Sequence, residues 1–350
     1  MCMCMCMESR IPRRLRLNLG FYDGIRKELL NYMKYIQNFH EGERVNGIYL
    51  CKTKTSAVTK NGKSYDSLLL QDKTGTIDSK IWDPGSGGIE DFEVLDYVDI
   101  VADVTSFNGT LQLNVKRVRK ASEGEYDPKD YLPTTNKDVK LMYEQLVKFI
   151  QSMKNPYLKK LCEVYFVKNQ EFVKDFCNHS AAKSVHHGFI GGLLEHTLSV
   201  TKLCDYFCTQ YPLLNRDLLL TAALFHDVGK IKEISPFPSN DYTDEGQLMG
   251  HIIIGVEMLN KEIEQIEGFP SRLARELKHC IIAHHGELEF GSPKKPALME
   301  AVALNLADNS DAKLQTMTEI LSMEGADNGQ WLGYNRLFES NIRKTSDGLS

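Results

Sequence analysis

Five short segments of this sequence carry the side chains that borderline-hard divalent metals prefer: His196, the pair His226-Asp227, His251, the pair His284-His285, and Asp308. Nine of the ten histidines lie between His179 and Ser292. A series of imidazoles and carboxylates with one adjacent His-Asp pair points to metal-assisted hydrolysis. In that chemistry cations neutralise an ester's developing charge and activate water.

Ligands must point inward from a rigid frame, so helix phase tests the idea. His284 continues the stripe Leu273, Leu277, Ile281, whereas His279 falls roughly 140° around the helix. Asp308 follows Ala301, Leu304 and Asn305 on the inner side, and His196 sits on or near the stripe Leu193, Thr197, Val200, Cys204, Phe207. The run Leu218–Phe225 is apolar nearly all round, which predicts a central helix closed by His226-Asp227 and ended by Gly229. An aspartate there is costly unless it is paired or metal-bound. His251 opens an apolar helix, with Gly255 one turn on as a place for close approach. A lone inward His is usually a satisfied core residue and a lone inward Asp usually a cap. Their joint occurrence in one domain has no simple structural explanation.

The order His196, His226-Asp227, His251, His284-His285, Asp308, with the run His226-Asp227-Val228-Gly229-Lys230, resembles the HD-domain superfamily of metal-dependent phosphohydrolases. The resemblance implies that His196, His226, Asp227 and Asp308 hold one metal. It also implies that His251 and His284 mark a two-metal branch bridged by Asp227, with His285 serving the second metal or the substrate. Gly42-Glu43-Arg44-Val45, Asp72-Lys73-Thr74-Gly75, His186-His187-Gly188, Gly191-Gly192-Leu193-Leu194-Glu195-His196 and Ala283-His284-His285-Gly286 are similar to YhaM-type 3′→5′ exoribonucleases, from about Met33 to about Arg343. Ligands of this mixed type suit Mn²⁺ first, then Co²⁺, Fe²⁺ or Mg²⁺. Lys230 is a candidate for a phosphate oxygen or for capping the carbonyls at the helix end. His186 and His187 are candidates for the scissile phosphate or for a structural role.

The frame for these residues is read from pattern. Residues 1–32 read as an extension; the Met-Cys leader lacks the charge-then-apolar order of a signal peptide. Residues 33–120 show short alternating strands separated by turn signals at Gly62-Lys63, Lys73-Thr74-Gly75 and Asn108-Gly109, which suits a small OB-type β-barrel. Residues 121–137, with Pro128 and Pro133, read as a linker, and 138–345 as an all-α HD-domain bundle. The fold class is α+β and multidomain.

A nuclease that works from an end must hold a single strand of RNA or DNA. Trp82 and Lys80 share the polar face of one strand, and Lys116, Arg117 and Arg119 lie near another, so a ring to stack bases and cations to follow phosphates are at hand. The alternatives are that Trp82 packs against the linker or the other domain and that the cations form a solvated face. Trp331, Tyr334 and Phe338 recur at roughly helical spacing and suit packing ahead of nucleic-acid contact, with a homo-oligomer interface as another option.

The net charge of −5 excludes a wholesale polybasic nucleic-acid binder but not a local basic groove. No run of eighteen apolar residues predicts a membrane span. The nine cysteines lack zinc-type spacing, so reduced buried thiols and a cytoplasmic setting are expected. The reading is a metal-dependent 3′→5′ exoribonuclease that releases nucleoside 5′-monophosphates. The alternatives are a phosphohydrolase of small nucleotides or cyclic dinucleotides, and a non-catalytic single-strand-binding protein.

Overall fold

Alternation of apolar and polar residues sets the first half of the chain. In the computed structural model, which describes residues 34–183, 187–322 and 329–346, five strands close into a barrel in the order β1-β2-β3-β5-β4. They are β1 (Arg44–Val58), β2 (Ser64–Asp72), β3 (Gly75–Ile81), β4 (Tyr97–Phe107) and β5 (Thr110–Lys120). The N-terminal half of β1 pairs antiparallel with β4 (Arg44↔Asp103) and its C-terminal half with β2 (Val58↔Ser64), on either side of a bulge between Cys51 and Thr53. The bulge gives β1 the bend that closure needs. A short parallel pairing of β3 with β5 (Lys80↔Asn114) completes the ring, and the barrel is of the OB type. Val45, Leu68, Leu70, Ile77, Ile81, Ile100, Val104, Leu113 and Val115 fill its interior.

The chain divides into two units, at Leu132 and Pro133. Most of the segment expected to be a linker is therefore packed. Ala121, Tyr131 and Leu132 are buried, the Tyr126 ring stacks on Tyr97 with centroids 3.8 Å apart, and Gln71 Nε2 donates to the Tyr131 carbonyl at 2.9 Å. Proline and charge density marked the segment as a break, but its aromatic residues bury apolar surface on the barrel. The predicted extension over residues 1–32 and His186 lie outside the described residues.

The second unit is helical. Its elements are α1 (Val139–Ser152), α2 (Pro156–Glu163) with a wide turn after it (Val164–Lys168), α3 (Gln170–Asn178), α4 (Gly192–Gln210), α5 (Arg216–Phe225), α6 (Lys230–Glu233), α7 (Asp244–Gln265), α8 (Ser271–Ile282) and α9 (Met299–Leu321). Side-chain caps start several of them: Asp138 accepts from Leu141 N, Asn169 from Phe172 N, Asn215 from Leu218 N and Thr243 from Gly246 N. Every residue from Leu218 to Phe225 is buried, so α5 is the central rod, as its sequence predicts. Its leucines each contribute about 1.5–3 kcal/mol by burial. Phe225 meets Tyr165 and Phe166 edge to face, with centroids 5.1 and 5.2 Å apart.

Two expectations need correction. Gly229 does not end α5, which stops at Phe225; it sits with helical φ of −62° ahead of α6, and a Cβ there would lie 2.0 Å from the His251 carbonyl oxygen. Close passage of α7 requires the glycine. Trp331, Tyr334 and Phe338 are not on a helix but in a hairpin of β6 (Trp331–Asn335) and β7 (Ser340–Arg343). A register shift between Trp331 and Gly333 interrupts the alternation, so residues three apart, Trp331 and Tyr334, are both exposed.

Candidate metal centre

Four elements bring the histidines and aspartates together around the end of α5. Gly192 starts α4 at a point where a Cβ would lie 2.0 Å from the His187 carbonyl oxygen, and His196 follows one turn later, buried. His226 and Asp227 leave α5 in a turn. The ring of His226 donates through Nδ1 to the Ala223 carbonyl at 2.8 Å, which turns Nε2 inward. His284, just past α8, does the same through Nδ1 to the Ile281 carbonyl at 2.6 Å. Gly250, with φ of 71° and ψ of 154°, breaks α7 and re-aims the chain so that His251 enters beside Asp227. Asp308 comes from the inner face of α9.

The distances define two groups of donor atoms that share Asp227. On one side, Asp227 Oδ2 lies 3.4 Å from both His196 Nε2 and His226 Nε2. Asp308 Oδ1 lies 3.2 Å from His196 Nε2 and 3.9 Å from His226 Nε2, and the two Nε2 atoms are 3.1 Å apart. On the other side, Asp227 Oδ1 faces His251 Nε2 at 3.5 Å and His284 Nε2 at 3.8 Å. The ring nitrogens of His251, His284 and His285 form a compact donor set, and His285 is oriented by donating through Nδ1 to the Phe290 carbonyl at 2.8 Å.

These residues fit divalent ions. Six-coordinate ions with bonds of about 2.1 Å set neighbouring donors about 3 Å apart, close to the spacings of the first group. Asp227 Oδ1, His251 Nε2 and His284 Nε2 are buried polar atoms with no hydrogen-bond partner. Left so, each would cost about 1–3 kcal/mol. The Nδ1 atoms of His196 and His226 are committed to Asp311 and to a carbonyl, so their facing Nε2 atoms need a cation between them. Burial opposes charge on His196, but the carboxylates of Asp227, Asp308 and Asp311 outweigh it and hold its pKa well above the ordinary value. Burial keeps His284 well below its ordinary value and His226 below it, so both rings stay neutral with a lone pair to offer. Burial would raise Asp227, but Lys230 and the surrounding imidazoles pull it well below the carboxylate range.

Sequence reasoning missed two carboxylates behind the donors. Asp311 Oδ2 accepts from His196 Nδ1 at 2.7 Å and is 3.0 Å from His187 Nε2. Glu233 Oε1 accepts from His251 N at 2.9 Å and lies 3.0 Å from His251 Nδ1. Carboxylates in this position fix a ligand's tautomer and orientation. The signal for Asp311 was its place three residues after Asp308 on one helix; Glu233 reaches His251 only through the fold. His187, with left-handed φ of 58°, is buried beside His196 on the side of Asp311. Lys230 does not cap a helix end; its Nζ lies 2.7 Å from Asp227 Oδ2. A cavity of about 390 Å³ opens over the centre, lined by His196, Asp227, Lys230, His285 and Asp308 together with Phe290, Asn305 and Asn309.

On the barrel, the residues expected to meet a strand fall into two classes. Trp82 is half exposed and lies against Tyr65, with centroids 5.2 Å apart, while Lys80 Nζ donates to Ser67 Oγ at 2.6 Å on the same outer face. Lys116 and Arg117 are both exposed because the β4–β5 register shifts between Val101 and Ala102. Arg119 is tied up, 2.7 Å from Asp99 and 2.8 Å from Glu125.

The sequence is 37% identical over 284 residues to the 3′-5′ exoribonuclease YhaM of Bacillus subtilis (strain 168), spanning 81% of this chain and 89% of that relative. The chain belongs to the YhaM family. The YhaM exoribonuclease of Geobacillus sp. (strain WCH70) is 36% identical over 289 residues, covering 82% of this chain and 88% of the relative. The HD domain family matches residues 193–313 of this YhaM-family chain, a span that holds every donor described above, and it implies dependence on a divalent metal. Among solved structures, the second OB-fold domain of replication protein A from Methanococcus maripaludis is 18% identical, covering 26% of this chain and 96% of that one, with a TM-score of 0.21.

Proposed function

We infer that this chain is a metal-dependent 3′→5′ exoribonuclease that hydrolyses phosphodiester bonds of single-stranded RNA to nucleoside 5′-monophosphates. The observation that carries the reading is Asp227, a buried carboxylate whose two oxygens face two separate sets of imidazoles in a member of the YhaM family. His196, His226, Asp227 and Asp308 would hold one ion, and Asp227, His251, His284 and His285 a second, with Mn²⁺ the ion that best suits the donors. When bound, such ions neutralise phosphate charge and activate water for in-line attack. The chain's own residues prepare the site. Asp311 and Glu233 hold the imidazoles of His196 and His251 with Nε2 presented to the centre. Burial opposes the charge on Lys230, yet Asp227 keeps it protonated, so a cation lines the cavity where a non-bridging phosphate oxygen would lie.

The barrel would hold the strand upstream of the reacting end, with Trp82 and Tyr65 stacking bases and Lys80, Lys116 and Arg117 following phosphates. Every cysteine among the described residues is a free thiol, which suits a reducing cytoplasm. In the described residues no helix is long and apolar enough to cross a membrane. The test is a Mn²⁺ titration with 3′- and 5′-labelled single-stranded RNA, single-stranded DNA and free nucleotides as substrates. The reading expects stepwise shortening of RNA from the 3′ end with release of 5′-monophosphates. Hydrolysis of free nucleotides with intact RNA would overturn it.

A further inference from the structure

The cavity over the metal centre has a second chemical character that hydrolysis does not use. Beside its imidazoles and carboxylates it is lined by Phe290, Ala181, Ala312 and the amide of Asn309. Phe290 ends a single 3-10 turn, Leu288–Phe290, and is 68% exposed. An aromatic ring left in water at a cavity wall gives up the stabilisation that burial would bring. Its backbone has a fixed task, since the Phe290 carbonyl accepts from His285 Nδ1 at 2.8 Å. The Phe290 backbone therefore orients His285, while its side chain is left largely exposed at the cavity.

We propose that Phe290 stacks on the base of the 3′-terminal nucleotide, forming a subsite that requires a base but does not read which base it is. This rests on the exoribonuclease reading above. An enzyme that removes every nucleotide in turn must accept all four bases at the same place. Stacking meets that need because every base has a π-face, whereas hydrogen bonds to a base edge would select among them. Asn309, neutral and exposed, also lines the cavity and offers a donor and an acceptor to the sugar. Ala181 and Ala312, which also line the cavity, are small and leave room for a planar ring.

The experiment uses the full chain loaded with Mn²⁺ and two oligoribonucleotides, one ending in an ordinary 3′ nucleotide and one in an abasic 3′ ribose. Wild-type protein is expected to favour the ordinary end by about tenfold in kcat/KM, carried mainly by KM, with the four bases alike within about threefold. Phe290→Ala should remove the preference, and Phe290→Tyr should keep it. Metal affinity, measured separately by calorimetry, should be unchanged in Phe290→Ala because His285 is held by a backbone carbonyl. Should Phe290→Ala fail to fold, Phe290→Leu carries the same comparison, keeping bulk while losing the ring. A Phe290→Ala or Phe290→Leu protein that discriminates like wild type overturns the subsite. So does a variant that loses metal and slows equally on both substrates, since the ring is then a structural prop. Wild-type protein that does not shorten RNA from its 3′ end would instead defeat the exoribonuclease reading, and the subsite with it.

Discussion

The barrel and the helical unit treat polar chemistry in opposite ways. The barrel fills its interior mainly with aliphatic and aromatic side chains and places Trp82, Tyr65, Lys80, Lys116 and Arg117 on the outside. The helical unit buries His196, His226, Asp227 and His284 at its centre, each oriented by a neighbour. A buried centre gains precision because the Nδ1 atoms of His196, His226 and His284 are each held by one neighbour, and it loses tolerance for the same reason. An exposed stacking face is graded: each ring or cation adds a little, and none is indispensable.

The strongest way to break this contrast is at the carboxylate the two donor groups share. Asp227→Ala or His226→Ala should lower RNA hydrolysis by at least about a thousandfold while leaving single-strand binding close to wild type. Equal loss of binding in a gel-shift or anisotropy assay would show that the two units do not divide the work. One layer out, Asp311→Asn keeps the shape but lets the amide present the wrong partner to His196 Nδ1. A loss of about 10–100-fold in Mn²⁺ affinity is expected by calorimetry; an unchanged affinity would reduce Asp311 to packing.

The buried centre should also respond to pH in a way the barrel cannot. In the metal-free protein the His196 pKa is raised, and an ion can use only the neutral ring. If His196 ligates an ion, binding should displace its proton at any pH below that raised value, whereas His226 and His284, held neutral by burial, should have none to release. Apparent affinity should climb by up to about tenfold per pH unit through the neutral range, with close to one proton released per protein in paired-buffer calorimetry. A flat profile between pH 6.5 and 8 would contradict it. The smallest effects belong to the barrel face. Trp82→Ala should weaken RNA binding by about 1–3 kcal/mol without changing turnover of a dinucleotide. Arg119→Ala, already paired with Asp99 and Glu125, should change binding by less than about twofold.

The same contrast explains what could be read in advance. His284 and Asp308 announced themselves because helix periodicity reports which residues face inward, and the barrel strands did so through their alternation. Glu233 stayed hidden because its contact with His251 spans a turn and a broken helix, and no local pattern encodes that. Phe290 carries no mark in the sequence, because only the fold brings it to the cavity. The C-terminal aromatics were misread because a bulge shifts a strand's two-residue period to the three-residue spacing that a helix also gives. The stretch after the barrel was misread because its prolines were weighed above its tyrosines.

Gly229 stands in the middle of the His-Asp-Val-Gly-Lys run and holds no ion, proton or phosphate. Its service is clearance: the α7 main chain passes where its side chain would be. A methyl group there would lie 2.0 Å from the His251 carbonyl oxygen, so the His226-Asp227 turn and the chain at His251 could not keep their present approach. A signature that looks like a catalogue of reactive groups is thus partly a record of how tightly two stretches of backbone had to be threaded past each other.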